Sequence, residues 1–425
     1  MIITEVEVSH VRIPFADRVR GWAELDVPQL RDLQVVRLLT DDPNLVGIGE
    51  QPYVHQVTKA GTVSQVIGRS PAEVRGWDWL GRAIQMAAHD LLGRQLGVPV
   101  WQLLGAQCHR RTVPVSWWSS SLTPRDQWAA EARAAHDAGY RTHKIKAYPW
   151  MDLPEVARKI VAEVGDGYSL DLDFNGMLRT RGEALSVLQP LADLRAVGIL
   201  ESPCRIDSTN DLVAVRDALA RPLAEHWRAP WSRQLLESDA VDGFVFATDG
   251  VTELMQQLAV ADHFNKAGWL QMLGTDLTTT YALHLSAAGP AARWPVVTCA
   301  MMLEHPLVTD PITMADGVAE VPMAPGLGVE LDPDALARYT VTGSEPAPAP
   351  PRHVLSVGDA LGEIRHHRSF RSAWLEARNI GWGQVRAAEP YLSVRLDDGT
   401  SDFDAAWQAA EAWLPTAGAF DGFRR

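Results

Sequence analysis

The sequence predicts an α/β protein in which a TIM-like (β/α)₈ barrel follows an α+β segment. From about residue 113, strand-like and helix-like stretches alternate, and eight candidate strands recur about every 25 residues, as in this barrel. A doubly wound open sheet would show the same alternation, but it usually carries a glycine-rich loop after its first strand, and none is present. The length of 425 residues also suits a barrel with an added domain.

The segment before the barrel, residues 1–112, contains strands and then helices. The stretches "ITEVEVSHVRIP" and "DLQVVRLLTDD" are typical of strands. The stretch "GRAIQMAAHDLLGRQLG" predicts an amphipathic helix that ends at Gly97, before Pro99. This order predicts an α+β domain.

The barrel itself is predicted over residues 113–340. Its candidate strands are, in chain order, "VPVSWW", "THKIKAYP", "SLDLDFN", "VGILESP", "RPLAEHW", "GFVFATD", "GWLQMLG" and "PVVTCAM". Helical stretches such as "PRDQWAAEARAAHDAG" separate them. Because the chemistry of such a barrel lies at the carboxyl ends of its strands, the residues at these ends are the functional candidates.

The tail, residues 341–425, begins with "GSEPAPAPP", which predicts a stiff, exposed linker. It then returns to strand and helix in "YLSVRLDDGTSDFDAAWQAAEAWL", which includes a hairpin signal. We expect this segment to pack on the N-terminal domain.

Composition narrows the class of protein. With 46% hydrophobic and 22% charged residues, the chain is typical of soluble globular proteins. A net charge of -14 argues against a nucleic-acid or anionic-membrane partner, although a local basic site would still bind a small anion. The 3 cysteines are scattered, so neither disulfides nor a zinc site is expected, and a reducing cytoplasm is the expected location. We see neither a signal peptide nor a membrane span.

The second candidate strand ends with two lysines. Lys144 and Lys146 are two residues apart, so both side chains point to the same side of the strand. Neighbouring ammonium groups repel each other, which would lower the pKa of at least one of them toward the range of a general base.

Each of the next three strands ends near a carboxylate, namely Asp173, Glu201 and Glu225. Carboxylates that converge in a water-poor site repel one another, and a hard divalent cation would relieve this. Oxygen ligands with room for water or substrate favour Mg²⁺. His226 follows Glu225 directly and would replace it as a ligand if the strand twists.

Each motif also has a simpler interpretation. A lone KxK pair is typical of a solvated edge strand, "DLDFN" of a turn at a strand end, and a lone glutamate of the surface. The coincidence of two lysines and three carboxylates at the ends of four consecutive strands favours a functional site.

With these residues the chain resembles the enolase superfamily, in its mandelate racemase and muconate-lactonizing branch. The matching pieces are "AIQMAAHDLLGRQLGVPVWQLLGA", "GYRTHKIKAYP", "LDLDFNG", "GILESP", "PLAEHW", "GVTE" and "DGVAEVPMAPGLGVELDPDAL". They extend to about Tyr339. The resemblance implies a modified (β/α)₇β barrel, a capping domain made from both termini, Mg²⁺, and abstraction of the proton α to a carboxylate. It also implies a homo-oligomer.

The resemblance assigns roles to single residues. Lys146 resembles the catalytic base and Lys144 its pKa-lowering partner. Asn175 resembles a residue that often accompanies the first metal ligand. The three metal ligands would be Asp173, Glu201 and Glu225.

The second half of the barrel departs from the branch. Its racemases place a second base on the opposite face, but the sixth strand, "GFVFATDG", has no lysine. Asp276 lies near the position of the expected histidine and is either an acid on that face or a helix N-cap. Cys299 takes the place of the eighth-strand acid and is either a site residue or a packing thiol.

Aromatic and basic residues are the candidates for the substrate pocket. The resemblance implies a specificity loop at "PFADRVRGWAELD", which contains Arg20 and Trp22, and a second one at "GEQPY", around Glu50. Trp117 and Trp118, at the end of the first barrel strand, would form a wall of the pocket. The predicted function is dehydration of a sugar acid or related hydroxy acid. Alternatives are a racemase, epimerase or cycloisomerase, and a barrel that binds a metal or ligand without turnover.

Overall fold

The computed structural model describes residues 1–53, 58, 60–105, 107–247, 250–342, 349–358, 364–380 and 392–410. None of the helices in these ranges is long and apolar enough to cross a membrane.

An antiparallel sheet and several helices form the N-terminal part. The strands, in sheet order, are β1 (Ile3–Arg12), β2 (Asp32–Thr40) and β3 (Val46–Pro52). The helices are α1 (Asp17–Asp26), α2 (Ala60–Val66), α3 (Pro71–Val74), α4 (Arg82–Leu96) and α5 (Trp101–Leu104). Helix α4 ends before Gly97, as predicted. It packs closely on β3: a Cβ at Gly49 would lie 2.1 Å from the carbonyl oxygen of Ala83.

Seven parallel strands form the curled barrel sheet, in sequential order. They are β5 (Trp117–Ser119), β6 (Thr142–Lys146), β7 (Ser169–Asp173), β8 (Val197–Glu201), β9 (Leu223–His226), β10 (Gly243–Phe246) and β11 (Ala267–Leu270). The helices that follow these strands are α6 (Trp128–Asp137), α7 (Leu153–Val164), α8 (Arg181–Ala192), α9 (Thr209–Ala218), α10 (Trp231–Glu237), α11 (Val251–His263) and α12 (Asp276–Ala288). A small antiparallel pair, β4 (Thr112–Pro114) and β12 (Val318–Glu320), lies beside this sheet.

The eighth predicted strand, "PVVTCAM", closes the ring through short parallel bridges. On one side, the Val296 N–H donates to the carbonyl of Pro114 at 2.8 Å. On the other side, the Val297 N–H donates to the carbonyl of Leu270 at 2.9 Å. The predicted TIM-like α/β barrel is therefore confirmed, with a short last strand.

Alternation along the strands separates the inside of the barrel from its outside. Ile199, Ala224, Val245 and Trp269 share a buried cluster inside the ring. Residues of the opposite parity pack outward against the helices in the main core, among them Leu170, Leu172, Leu223 and Phe244.

The chain then returns to the N-terminal sheet and adds a C-terminal unit. Helix α13 (Pro333–Tyr339) packs near β1, where Thr340 bridges to Val11. The C-terminal unit consists of an antiparallel sheet in the order β14 (Ile364–His367), β13 (His353–Gly358) and β15 (Leu392–Leu396), with α14 (Phe370–Ile380) and α15 (Ser401–Ala409).

Two expectations for the tail meet different outcomes. Most of the predicted linker "GSEPAPAPP" lies outside the described residues. The predicted hairpin at "YLSVRLDDGTSD" is wrong, because β15 pairs with β13 and the turn after it leads into α15, whose N-cap is Thr400.

Candidate active site

Both lysines of β6 point into the barrel, as the two-residue spacing predicts. In the register of the sheet, Lys144 lies beside Trp118 and Asp171, and Lys146 lies beside Asp173. The Lys144 side chain is 2% exposed and that of Lys146 is 16% exposed. The strand is therefore not a solvated edge, and only Lys146 retains access to a ligand.

Lys146 is held by two acceptors that follow from β7. Its Nζ donates to Oδ2 of Asp173 at 2.6 Å and to Oδ1 of Asn175 at 3.2 Å. Asn175 has a positive φ of 49°, and its backbone N–H donates back to Oδ1 of Asp173 at 3.0 Å. The turn after β7 thus fixes the carboxylate and the amide on either side of the ammonium group.

The pKa of Lys146 is raised, whereas the repulsion between the two lysines predicts a lowered pKa. Burial lowers the pKa of Lys146, but the carboxylates of Asp173 and Glu201 outweigh burial and raise it overall. The expectation considered only the repulsion from Lys144. A divalent cation on the same carboxylates would offset the charge that raises this pKa.

Lys144 lies deeper and has three acceptors. Its Nζ lies 2.5 Å from Oε2 of Glu201, 3.5 Å from Oδ2 of Asp173 and 2.9 Å from Oε1 of Gln271. It also lies 5.1 Å from the ring centre of Trp269, within cation–π range. Lys144 therefore supplies fixed positive charge at the base of the site.

Glu201 and its neighbours on β9 complete the cluster. Burial raises the pKa of Glu201, but Lys144 and His226 together bring it well below its ordinary value. His226 Nε2 lies 3.1 Å from Oε1 of Glu201. Oε2 of Glu225 accepts from Oγ of Ser202 and from the His226 backbone, each at 3.0 Å.

On β9, the directions of the Glu225 and His226 side chains differ from the prediction that Glu225 faces the other carboxylates. Glu201 is the register partner of Ala224, so alternation carries His226 to the same side and Glu225 toward the other. His226 accordingly lies directly against Glu201. Burial raises the pKa of Glu225 to about 8, with the charges of Glu201 and Asp173 adding to the rise, so this carboxyl group also belongs to the cluster.

The donor set fits a hard cation in its chemistry. Oε1 of Glu225 is buried and accepts no hydrogen bond, whereas the two buried oxygens of Glu201 form ion pairs with Lys144 and His226. A buried carboxylate oxygen without a partner is costly unless a cation or water satisfies it. Within the described ranges, no three His, Cys, Asp or Glu side chains already form a metal-holding group. The residues that would hold Mg²⁺ are Asp173, Glu201 and Glu225, with His226 as the alternative third ligand.

Comparison with known proteins agrees with this geometry. Residues 127–335 match the sequence profile of the family described as "Enolase C-terminal domain-like". Over these residues the chain belongs to the enolase superfamily, in its mandelate racemase and muconate-lactonizing branch.

Two relatives and one solved structure illustrate the match. A chloromuconate cycloisomerase of Pseudomonas putida is 27% identical over 282 residues, which cover 61% of this chain and 72% of the relative. An N-succinyl-L-Arg/Lys racemase of Bacillus cereus is 23% identical over 378 residues, or 80% and 98% of the two chains. The crystal structure of a muconate lactonizing enzyme from Pseudomonas fluorescens has a TM-score of 0.67 at 20% identity, covering 80% of this chain and 99% of that one.

For this member of the superfamily, Asp276 does not join the lysines. Thr275 is the N-cap of α12, so the N-cap interpretation of Asp276 is wrong. Asp276 Oδ2 accepts from the backbone N–H of Ile312 at 2.9 Å, and burial raises its pKa to about 6. Nothing recorded among the described residues links this carboxyl group by hydrogen bond or ion pair to the β6 lysines.

Cys299 lies inside the barrel, in the buried cluster that contains Trp118 and Trp269. Burial raises the pKa of its thiol to about 12, although the charges of Lys144 and Lys146 oppose this shift. These surroundings favour the packing interpretation over a reactive thiol.

The predicted wall residue Trp117 has the wrong parity. It lies on the outer side of the barrel, where Arg18 stacks on its ring at 4.2 Å and its Nε1 donates to Oε2 of Glu131 at 3.3 Å. Trp118, the next residue, takes the inward position beside Lys144.

Helix α1 carries the other two pocket candidates, Arg20 and Trp22. Arg20 forms ion pairs with Asp17 at 2.9 Å and Glu304 at 3.4 Å and is 42% exposed. Trp22 packs with residues such as Leu25 and Leu355, against the C-terminal unit. Asp26, at the end of this helix, comes closer to the site, because the charge of Lys146 lowers its pKa against the larger opposing effect of burial.

Glu50 joins the N-terminal sheet to the barrel instead of forming a specificity loop. It is fully buried and accepts from the backbone N–H of Thr275 at 2.6 Å and of Thr278 at 3.0 Å. These donors are the free amides at the start of α12. Arg82 reinforces the junction by donating to the carbonyl of Leu273 at 2.6 Å.

Sequence reasoning missed Gln271 and Tyr148. Gln271 follows β11 and accepts from Lys144, and Tyr148 donates to Oδ1 of Asn175 at 2.9 Å. The inward parity of Gln271 could have been extended from neighbouring strands. Tyr148 lies past the end of β6, where alternation no longer applies.

Proposed function

We propose that this chain is a Mg²⁺-dependent enzyme that removes the proton α to the carboxylate of a small acid, with Lys146 as the base. The observation that carries the proposal is the buried cluster of Lys144, Lys146, Asp173 and Glu201 at the carboxyl ends of three adjacent strands. Proton abstraction next to a carboxylate needs a base and strong positive charge at the same place.

Each side chain has a distinct task in this scheme. Bound Mg²⁺ would supply the charge that stabilises an enediolate. Lys146 takes the α-proton at Nζ, where Asp173 and Asn175 orient it. Lys144 keeps a second positive charge close to the carboxylates without exposure to water.

The lysine inventory favours chemistry on one face of the substrate. The chain has 5 lysines. Lys159 pairs with Glu155 on the exposed side of α7, and Lys266 pairs with Asp239 before β11. The remaining lysine, Lys59, lies outside the described residues, and so do residues 248–249 after β10. The first candidate is therefore dehydration of a sugar acid or hydroxy acid that carries hydroxyls on both the α- and the β-carbon. Lys146 takes the α-proton and returns it to the β-hydroxyl, which leaves as water, and the resulting enol tautomerises to a 2-keto acid.

The second candidate is an isomerase, which the names of the relatives favour. They include a chloromuconate cycloisomerase, an N-succinyl-L-Arg/Lys racemase and an L-Ala-D/L-Glu epimerase. A cycloisomerase would fit a single base, whereas a racemase with two bases requires one on each face. A homo-oligomer and a cytoplasmic location stay predictions.

Product analysis tests both candidates. The protein is incubated with Mg²⁺ and a panel of sugar acids, hydroxy acids, muconates and N-acylamino acids, and products are identified by mass and NMR. Loss of water with a new ketone supports dehydration, an isobaric lactone supports cycloisomerisation, and inversion at the α-carbon supports racemisation. Lys159→Ala is the matched control, since that lysine lies on the surface of α7. No turnover and no Mg²⁺ binding would contradict the proposal.

A further inference from the structure

The C-terminal unit docks on the face of the barrel that carries the site. Leu355 and Ala373 of this unit share a buried cluster with Leu25, at the end of α1, and Leu122, after β5. Asp26 strengthens the same corner by accepting from Oγ of Ser120 at 2.8 Å. Because active sites of such barrels lie where these loops meet, the unit covers part of the catalytic face.

Helix α14 brings two aromatic residues next to the strand that carries the lysines. The ring centre of Phe370 lies 6.1 Å from that of Tyr148 and 6.1 Å from that of Trp150. Trp374, one turn further along α14, forms a side-chain hydrogen bond with Tyr148. Both α14 residues are half-buried, so part of each ring remains open to a ligand.

Hydrogen bonds connect this aromatic group to the base. The Tyr148 hydroxyl donates to Oδ1 of Asn175 at 2.9 Å, and the same oxygen accepts from Nζ of Lys146 at 3.2 Å. Only two side chains therefore separate Trp374 from the ammonium group.

The C-terminal unit lies outside the region that the family profile matches. The family profile ends at residue 335, and the muconate lactonizing enzyme structure covers 80% of this chain while 99% of its own length is matched. The contacts of Phe370 and Trp374 are thus made by a part of the chain beyond the matched barrel domain.

We propose that α14 forms one wall of the substrate pocket, on the Lys146 side. Phe370 and Trp374 limit the size of the apolar substituent that the carboxylate substrate carries there, and Tyr148 is a positioning residue for Asn175 and Lys146. The indole N–H of Trp374 forms a hydrogen bond with Tyr148. The wall therefore presents the carbon atoms of the aromatic rings to the substrate. This inference rests on the proposed α-proton chemistry.

Substitution in α14 tests the wall. Trp374→Ala should raise kcat/KM for a carboxylate with a bulky α-substituent relative to a small one by about tenfold or more, because pocket volume is gained. Trp374→Phe, which keeps most of the ring, should change this ratio much less. Trp407→Ala in α15 is the control for loss of packing within the C-terminal unit, since that ring packs on Phe403. Equal ratios in Trp374→Ala and Trp407→Ala would overturn the proposal.

Tyr148→Phe tests the positioning role. It should lower kcat while KM stays within about twofold, since a positioning residue acts on the reacting geometry rather than on binding. A rise in KM with unchanged kcat would overturn this role.

Hydrogen exchange tests the position of α14 independently of the proposed function. Trp374→Ala should increase deuterium uptake by the backbone of residues 146–150, whereas Trp407→Ala should not, whether or not a substrate is known. Unchanged uptake in Trp374→Ala would refute the wall. Absence of turnover with raised uptake would refute the α-proton chemistry and retain the docking of α14 over Lys146.

Discussion

Nζ of Lys146 lies 2.6 Å from Oδ2 of Asp173, and the two residues are register partners on β6 and β7. The proposed base and a candidate metal ligand are therefore held on adjacent strands by backbone pairing. Their distance depends on strand register, which loops do not easily disturb. This relationship places the Lys146 side chain beside the carboxylate cluster.

Glu201→Gln should abolish stabilisation by Mg²⁺. At a concentration of 100 Kd, bound metal stabilises a protein by about 2.7 kcal/mol, and an amide is a poorer ligand than a carboxylate. The change in Tm on adding Mg²⁺ measures this effect. Glu163→Gln, at an exposed ion pair with Arg133, is the control. An equal Mg²⁺ effect in wild type and Glu201→Gln would refute the assigned ligand.

Glu50→Gln should destabilise the fold by about 1–3 kcal/mol, because an amide NH₂ would replace Oε2, the buried oxygen that accepts from the Thr275 hydroxyl at 2.9 Å. Urea unfolding measures the free energy. Asp17→Asn, at a 91% exposed side chain, should change it little. Equal losses in the two variants would show that the junction between sheet and barrel does not depend on Glu50.

Acid should destabilise the protein through buried neutral histidines. Burial lowers the pKa of His143 to about 3 and those of His89 and His284 to about 4. Below the ordinary histidine pKa of about 6.5, the unfolded chain binds more protons than the folded one, so stability falls as pH falls toward these values. Each histidine adds a slope of up to about 1.4 kcal/mol per pH unit.

His284→Gln tests this slope, because the amide can still donate to the carbonyl of Leu327 that His284 contacts. The loss of unfolding free energy between pH 6.5 and pH 5 should be about 1.6 kcal/mol smaller than in wild type. His263→Gln, at the exposed end of α11, should leave the loss unchanged. A His284→Gln variant with the wild-type slope would contradict the pH account.

Much of the barrel could be predicted because its physical causes are local. Alternation with a period of two residues placed Lys144 and Lys146 on one side of β6, and the structure confirms this direction. Alternation alone left open which of Trp117 and Trp118 faces the inside of the barrel, because the register of β5 with β6 decides this, and register is not visible within one strand.

Contacts between distant segments could not be predicted. Asp276 binds the backbone of Ile312, and Arg20 pairs with Glu304, a residue 284 positions away. The lowered pKa expected from the lysine pair failed for a similar reason, since the carboxylates that raise the pKa of Lys146 come from β7 and β8. Such outcomes depend on the folded arrangement of several strands.

Deuterium exchange at the α-carbon tests the central claim most directly. A carboxylate from the panel that the protein turns over is incubated in D₂O with Mg²⁺ and wild type, Lys146→Ala or Lys159→Ala. We predict that wild type and Lys159→Ala incorporate deuterium at the α-carbon of recovered substrate or product, and that Lys146→Ala slows this by a factor on the order of 10²–10⁴. Exchange at the wild-type rate in Lys146→Ala would show that another group is the base.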